Sequence, residues 1–173
     1  MSFTKVKKGV CAAKGFVANG LNCGLNSDKN KNDLALVYSE TQCQAAAVYT
    51  TNKVKGAPIQ VTKAHLEASG HTAKAVIANS KNANTCNADG VEKAQRMCEL
   101  AAAELSIDPN EVIVASTGVI GQVLPIEPIE SHIKELAKGL SAARRFLFEE
   151  RKIDERVAAW CRLTSWTDKK GVN

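Results

Sequence analysis

The feature that most constrains the fold is a short apolar run followed by hydroxyls and glycines, E-V-I-V-A-S-T-G-V-I-G at residues 111–121. Residues 112–115 are apolar at every position, which is typical of a strand buried on both faces or of a buried helix segment. The β-branched residues and the abrupt end favour a strand. A buried strand that ends in Ser116-Thr117-Gly118 brings backbone N–H groups to the mouth of a fold, where they can hold a negative charge that develops in a reaction. The alternative is that Thr117-Gly118 is only a turn.

The composition predicts a single packed domain. The chain has 173 residues, of which 45% are hydrophobic but only 5% aromatic, so we expect a core of Ala, Val, Ile and Leu. No apolar run reaches membrane-spanning length, and the first ten residues lack the apolar segment of a secretory signal. These features predict a soluble, cytoplasmic protein that has no membrane partner.

The distribution of basic residues separates the last part of the chain from the rest. Residues 1–143 contain 14 Lys and 1 Arg, whereas residues 144–173 contain 3 Lys and 5 Arg together with both tryptophans. The net charge of +5 is carried in the first part by dispersed lysines without a basic stripe, which argues against a nucleic-acid partner. We interpret residues 1–141 as one domain and residues 142–173 as a divergent, partly helical tail. The tail is another module or a shifted reading frame, with ordinary variation as the alternative.

The order of elements predicts an α/β (α+β) fold with a mixed or antiparallel sheet packed with helices. The first long helix begins with Asp89 and Glu92, which have the spacing of a capping box. Its expected buried stripe is Val91, Ala94, Met97, Cys98, Ala101 and Leu105, and that of the second long helix is Ile129, Ile133, Leu136 and Leu140. In order, the pattern predicts a hairpin (about 15–39), a brief strand (59–62), a short helix that Gly70 closes (63–69), a strand (74–79), a helix (89–105), the central strand, and a helix that Pro125 and Pro128 open.

Cysteines and histidines show no metal-ligand spacing. The six cysteines are scattered without a C-x-x-C pair, so we interpret them as reduced and mostly buried, with a disulfide framework or a zinc site as the alternative. His65, His71 and His132 lie far apart and are each predicted to be surface residues. The sequence therefore predicts no metal and no bound cofactor. Residues 118–121 match the bare G-x-x-G of an RNA-clamping loop but include no basic residue.

Three further stretches point to chemistry: GVCAAKGF at residues 9–16, AAAVYTTNKVKGAP at 45–58 and NSKNANTC at 79–86. We expect each of them to point toward the turn at Thr117. An amide-rich loop after one buried strand, beside a hydroxyl–glycine turn after another, makes a polar mouth, and such mouths bind small polar ligands. The alternative is three ordinary loops.

In their order and spacing, these four stretches resemble the N-terminal part of the ornithine acetyltransferase family, also called glutamate N-acetyltransferase. Residues 115–121 match the family's ASTGVIG, residues 79–86 its NSGNANAC with Lys81 in place of a glycine, residues 50–58 its TTNRVKAAP, and residues 9–16 its GVTAPKGF. The resemblance covers about residues 5–140. It implies that the chain forms part of the layered α-β-β-α fold of that family.

The resemblance also implies acetyl transfer in arginine biosynthesis. In the family, a precursor cleaves itself before a threonine, which becomes the N-terminal nucleophile of a β chain with its own amine as the base. This threonine takes acetyl from N-acetylornithine, or in some members from acetyl-CoA, and passes it to glutamate. Thr117 and Gly118 correspond to the residues that stabilise the oxyanion. The implied partner is the β chain, in a complete enzyme that is a hetero-oligomer.

Later segments of the family have no counterpart in this sequence, namely TTDT, a KGSGM-like segment and the ATML cleavage site. We therefore expect an alpha-chain portion that lacks the nucleophilic threonine and is inactive alone; the alternative is a truncated, non-catalytic scaffold or a small-ligand-binding fragment. A glycine in place of Lys81 is expected to serve a tight loop or a close approach. If the whole enzyme's sheet draws strands from both parts, open edges should cause self-association.

Overall fold

The structure, a computed structural model, describes residues 9–142. After residue 57, helices alternate with strands, as the sequence predicts. Short 3₁₀ turns lie at Gly9–Ala12 and Pro109–Glu111. The other elements are β1 (Phe16–Leu21), β2 (Leu34–Gln44), α1 (Ala57–Ala68), β3 (Thr72–Asn79), α2 (Gly90–Leu105), β4 (Val112–Ser116) and α3 (Glu127–Lys138).

The four strands form one mixed sheet in the order β1-β2-β3-β4. The pairs β1–β2 and β2–β3 are antiparallel, and β3–β4 is parallel, with α2 as the crossover between them. This confirms both the predicted hairpin and the predicted mixed sheet. The register aligns Leu21 with Leu34, Leu34 with Asn79, and Asn79 with Ser116, so these residues mark one end of the sheet.

The helices pack against one face of the sheet. Alternate strand residues enter this core, which includes Leu34, Leu36, Ala75, Ile77, Val112 and Val114. The intervening residues Val76, Ile113 and Ala115 are only half-buried. The prediction that β4 is buried on both faces is therefore wrong for the part of the chain described, because only one layer of helices covers the sheet there.

Helix α1 corrects the predicted strand at 59–62, because these residues belong to the helix. Pro58 suits the first helical turn, where its missing N–H is not needed. Val61 and His65 are both buried, four residues apart, which is helical spacing. Gly70 closes the helix as predicted, with a φ of 66°.

Helices α2 and α3 follow most of their predicted patterns. Asp89 precedes α2, but its side chain makes no capping hydrogen bond, so the predicted capping box is wrong. Its φ of −98° and ψ of 10° are not the extended conformation that presents a cap. Val91 is 48% exposed and does not belong to the buried stripe. The stripes are otherwise confirmed by burial of Ala94, Met97, Cys98 and Ala101 in α2 and of Ile129, Ile133 and Leu136 in α3.

Both edge strands of the sheet are covered at their centres. Thr62 Oγ1 accepts from the Val114 N–H at 3.2 Å and donates to the Val114 carbonyl at 3.1 Å, so α1 occupies the free edge of β4. At the other edge, Ala18 and Ser141 exchange two backbone hydrogen bonds of 3.2 Å. The expected open edges are therefore absent at these positions within residues 9–142. Self-association of the chain stays a prediction.

The predicted tail helix lies outside the described residues, as does Cys161. None of the helices within residues 9–142 has the length and apolar character that crossing a lipid bilayer requires. All five described cysteines are free thiols. Cys11, Cys23 and Cys98 are buried as predicted, whereas Cys43 is half-buried and Cys86 is exposed.

Candidate functional site

Thr117 and Gly118 follow directly after β4 and are exposed. The Thr117 N–H donates to the Asn79 carbonyl at 3.0 Å, and the Val119 N–H donates to the Lys81 carbonyl at 3.1 Å. The Gly118 N–H between them forms no hydrogen bond with any residue in the range 9–142, and neither does the Thr117 hydroxyl. One hydroxyl and one backbone N–H therefore remain available at the end of β4.

The amide-rich loop extends the parallel pairing of β3 and β4 beyond the strands. Asn82 and Val119 form a parallel bridge, and the Ala83 N–H donates to the Val119 carbonyl at 2.9 Å. The Gly121 N–H donates to the Thr85 carbonyl at 2.8 Å. We call residues 80–87 with residues 117–121 the loop–turn pair. The predicted adjacency of the loop and the turn is confirmed.

A glycine is required at position 118 by a close approach of two backbones. Gly118 has a φ of 137°, a conformation that other residues rarely adopt. A Cβ atom there would overlap the carbonyl group of Lys81 and the nitrogen of Asn82. Lys81 itself has a φ of 75°, in the left-handed region. This agrees with the expectation that a glycine in place of Lys81 serves a tight loop.

Asn82 and Asn84 of the loop hydrogen-bond to backbone groups in the loop and in the segments packed against it. Asn82 Nδ2 donates to the carbonyls of Gln122 and Val123 at 3.0 and 3.2 Å, and its Oδ1 accepts from the Asn84 N–H at 2.7 Å. Asn84 Nδ2 donates to the Gly90 carbonyl at 2.8 Å. Both side chains are buried, so these two asparagines add no exposed amide to the polar mouth predicted beside Thr117. Buried amides must find partners, and the backbone of the loop and of the segments around it supplies them.

Two buried polar atoms at this end of the sheet have no such partner. Asn79 Oδ1 and Ser116 Oγ form no hydrogen bond with residues 9–142, although neither atom is accessible to solvent. The two residues are paired in the register of β3 and β4. They lie immediately before the loop–turn pair, one on each strand.

The other two stretches differ in their position relative to the turn. Residues 9–16 lie at the opposite end of the sheet, because Phe16 pairs with Ser39 and not with the end that Ser116 marks. Residues 45–58 meet the loop through Ala57, whose N–H donates to the Asn84 carbonyl at 3.1 Å. The prediction that every stretch points toward Thr117 is therefore wrong for residues 9–16, since a pattern in sequence does not give strand direction or register. For residues 45–58 it stays a prediction, because they end against the loop that pairs with the turn.

One predicted surface histidine is part of the core. His65 is 4% exposed, and its Nδ1 lies 3.0 Å from the Val112 carbonyl, to which it donates. Its Nε2 lies 2.8 Å from Gln95 Oε1. His65 follows the buried Val61 at helical spacing, a signal that sequence reasoning had available. His71 is exposed, as predicted, and His132 is half-buried.

The buried cysteines are poorly reactive. Burial raises the pKa of the Cys98 thiol to about 12, with a smaller contribution from the charge of Glu99. Burial also raises the pKa of Cys23 to about 12, assisted by Asp33. Because the thiolate is the reactive form, neither thiol is a nucleophile near neutral pH. No group of three His, Cys, Asp or Glu side chains within the described range is arranged to hold a metal ion.

Comparison with known sequences relates the chain to one family. A model of the ArgJ family matches residues 17–164. Arginine biosynthesis bifunctional protein ArgJ 1 of Clostridium acetobutylicum is 49% identical over 115 residues, which cover 66% of this chain and 28% of that protein. ArgJ of Bacillus subtilis is 45% identical over 133 residues, covering 76% and 32%. The chain thus spans about a third of the length of these curated relatives.

Two solved structures share its fold. The crystal structure of the arginine biosynthesis bifunctional protein ArgJ of Bacillus halodurans has a TM-score of 0.75 at 35% identity, covering 85% of this chain and 76% of that chain. Ornithine acetyltransferase of Mycobacterium tuberculosis, complexed with ornithine, has a TM-score of 0.73 at 32% identity, covering 82% and 79%. From the match over residues 17–164 and these similarities, the chain belongs to the ArgJ family.

Proposed function

We propose that this chain supplies the oxyanion-stabilising part of an ornithine acetyltransferase, which transfers acetyl from N-acetylornithine to glutamate in arginine biosynthesis in the cytoplasm. The observation that carries the proposal is the pair of exposed donors after β4, the Thr117 hydroxyl and the Gly118 N–H. Both are free of hydrogen bonds within residues 9–142. A solved neighbour that is an ornithine acetyltransferase with ornithine bound supports the substrate class.

The backbone around the two donors supports an electrostatic role. The N–H groups of Thr117 and Val119 are bonded to the strand and loop beside them, which fixes the peptide that carries the Gly118 N–H. Donors held in place before the reaction stabilise a developing charge more effectively than donors that must reorganise. Close contact of Gly118 with the backbone of Lys81 and Asn82 restricts movement further.

In the proposed reaction, a threonine hydroxyl of a β chain attacks the acetyl carbonyl carbon of N-acetylornithine, and the amine of that threonine accepts the proton. The carbonyl oxygen becomes negative, and Thr117 Oγ1–H and Gly118 N–H donate hydrogen bonds to it. The C–N bond then breaks, the nitrogen takes up the proton, and ornithine leaves while acetyl stays on the threonine as an ester. The amine of glutamate attacks this ester in the same way and regenerates the threonine.

The proposal divides the catalytic groups between two polypeptides. The 173-residue polypeptide would supply the oxyanion donors, and a β chain would supply the nucleophile, so we expect no turnover from the first alone. The alternative is a non-catalytic scaffold or a fragment that binds a small ligand.

We also propose that residues 142–173 differ in origin from residues 1–141. The match of the family model continues to residue 164, which supports the alternative of ordinary variation within one domain. The coding sequence around residue 142 decides between a shifted frame, a genuine module and this alternative.

Reconstitution with a β chain tests the proposed function. The purified 173-residue chain is assayed for acetyl transfer from N-acetylornithine to glutamate, alone and with the β chain of the Bacillus subtilis relative. We expect turnover only with the β chain, and a decrease in kcat of about 10²–10³ for Thr117→Ala. Thr41→Ala, an exposed threonine on β2, should leave kcat unchanged. Turnover by the chain alone contradicts the division of groups, and an unchanged rate for Thr117→Ala removes the oxyanion role.

A further inference from the structure

A cleft of about 600 Å³ lies on the side of the amide-rich loop that faces α1 and α2. Its walls come from four parts of the chain: residues 49–55, the first half of α1, the loop, and the beginning of α2. Neither Thr117 nor Gly118 lines it. The volume lies within the usual range for small-molecule sites, which is roughly 300–1,000 Å³.

Positively charged side chains line the cleft, and no acidic side chain does. The positively charged residues are Lys53, Lys55 and Lys63. Lys63 forms an ion pair with Glu67 at 3.8 Å, but both side chains are mostly exposed, so the pair is weak. Lys53 and Lys55 form no ion pair with any residue that the structure describes. The lining is therefore complementary to an anion.

The same cleft exposes apolar side chains. Val54 is 60% exposed and Val91 is 48% exposed, and both line the cleft, one from the segment before α1 and one from α2. Tyr49 adds an aromatic ring, whose pKa is raised by burial and by the charge of Glu67. A bare inorganic anion would leave these apolar surfaces in contact with water. A ligand that covers them as well needs an organic body.

From this lining we propose that the cleft binds a small organic diphosphate of nucleotide size. Its phosphates would lie among Lys53, Lys55 and Lys63, and its organic body against Val54 and Val91. Lysine is a common phosphate ligand in proteins. A free amino acid fits less well, because its ammonium group would face the lysines. The site is separate from Thr117 and Gly118, so the proposal does not depend on the acetyl-transfer function.

Calorimetric titration of the 173-residue chain with ADP, pyrophosphate and adenosine tests this site. We expect saturable binding of one ADP, weaker binding of pyrophosphate and no binding of adenosine alone. The double variant Lys53→Ala/Lys55→Ala should weaken ADP binding about 25-fold, if each exposed charge contributes about five-fold. The double variant Lys134→Ala/Lys138→Ala removes the same charge from exposed positions on α3 and should change binding less than two-fold. Equal weakening by both variants would overturn the proposal, because it would indicate nonspecific attraction.

Protection of Cys86 from alkylation provides a second measurement. Cys86 lines the cleft and is exposed, whereas Cys43 is half-buried and lies elsewhere. Saturating ADP should slow the reaction of Cys86 with iodoacetamide about ten-fold or more, measured by peptide mass spectrometry, and leave Cys43 unchanged. Absence of both saturable heat and Cys86 protection at about 10 mM ADP, where even a site of millimolar Kd would be mostly filled, refutes the site. Pyrophosphate binding as tight as ADP refutes the role of the organic body.

Discussion

Two irregular segments that follow strands are built in opposite ways. The loop–turn pair is fixed by backbone hydrogen bonds between its halves and by the buried amides of Asn82 and Asn84. Residues 45–56, which we call the lysine segment, are anchored at Ala45 by a 2.8 Å bond to the His71 carbonyl and beyond their end at Ala57. Between these anchors most residues are exposed. The donors of the proposed oxyanion site are thus carried by rigid backbone, and the charges of the cleft by long side chains that can adapt to a ligand.

The largest expected effect of a substitution lies in the loop–turn pair. Gly118→Ala places a Cβ against the backbone of Lys81 and Asn82 in a conformation that alanine disfavours. We expect it to lower the free energy of unfolding of the 173-residue chain by about 3 kcal/mol, from overpacking and left-handed strain together. Gly121→Ala is the matched control, because its φ is 77° but nothing lies within 4 Å of its added Cβ. It should lose only about 1 kcal/mol.

Urea denaturation of both variants measures the difference. If they lose the same stability, the conformation of the glycine and not the contact between backbones determines the effect. The only remaining reason to regard the loop–turn pair as more rigid than the lysine segment would then be the buried amides of Asn82 and Asn84.

Local patterns in the sequence predict the strands and long helices, but not what covers the sheet. The apolar runs at β3 and β4 have the right position and type. Their burial on a single face depends on helices that pack from distant parts of the chain, as does the anchoring of β4 by Thr62 and His65. The error at residues 59–62 has a local cause. Ile59 and Val61 are β-branched residues with strand preference, and the packing of a helical face overrides that preference.

A second comparison of variants is between two asparagines, one in each segment. Asn84 is fully buried, and its amide satisfies the Gly90 carbonyl. Asn84→Ala removes this buried hydrogen bond and places an alanine at a φ of 46°, so we expect a loss of about 2 kcal/mol in unfolding free energy. Asn52 in the lysine segment is exposed and accepts only from the Val54 N–H at 2.9 Å, so Asn52→Ala should change stability by less than about 0.5 kcal/mol. Comparable losses would show that the lysine segment is as firmly fixed as the loop.

The candidate site shows the same limit of sequence reasoning. The S-T-G sequence after an apolar strand indicates where donors emerge, and the structure places Thr117 and Gly118 there. An asparagine-rich loop is equally consistent with ligand contacts or with hydrogen bonds to the neighbouring backbone. Only the three-dimensional contacts of Asn82 and Asn84 distinguish the two. The cleft is not visible in the sequence because Lys53 and Val91 are far apart along the chain and meet only when α1 and α2 pack.

The smallest expected effect has the opposite sign, because the loop–turn pair contains a residue that fits it poorly. Lys81 is exposed and has a φ of 75°, so its side chain adds left-handed strain, and its carbonyl supplies the bond to Val119 whatever the side chain is. Lys81→Gly removes strain of about 1–2 kcal/mol. It also raises the conformational entropy of the unfolded chain, which offsets about 0.5–1 kcal/mol of this stabilisation. The net stabilisation should be about 0.5 kcal/mol, or a rise in Tm of about 1–2 °C. Lys81→Ala removes the same charge but keeps the strain, so it should not raise Tm. An equal rise in both variants would assign the effect to the lysine charge and would leave the backbone of the loop unstrained.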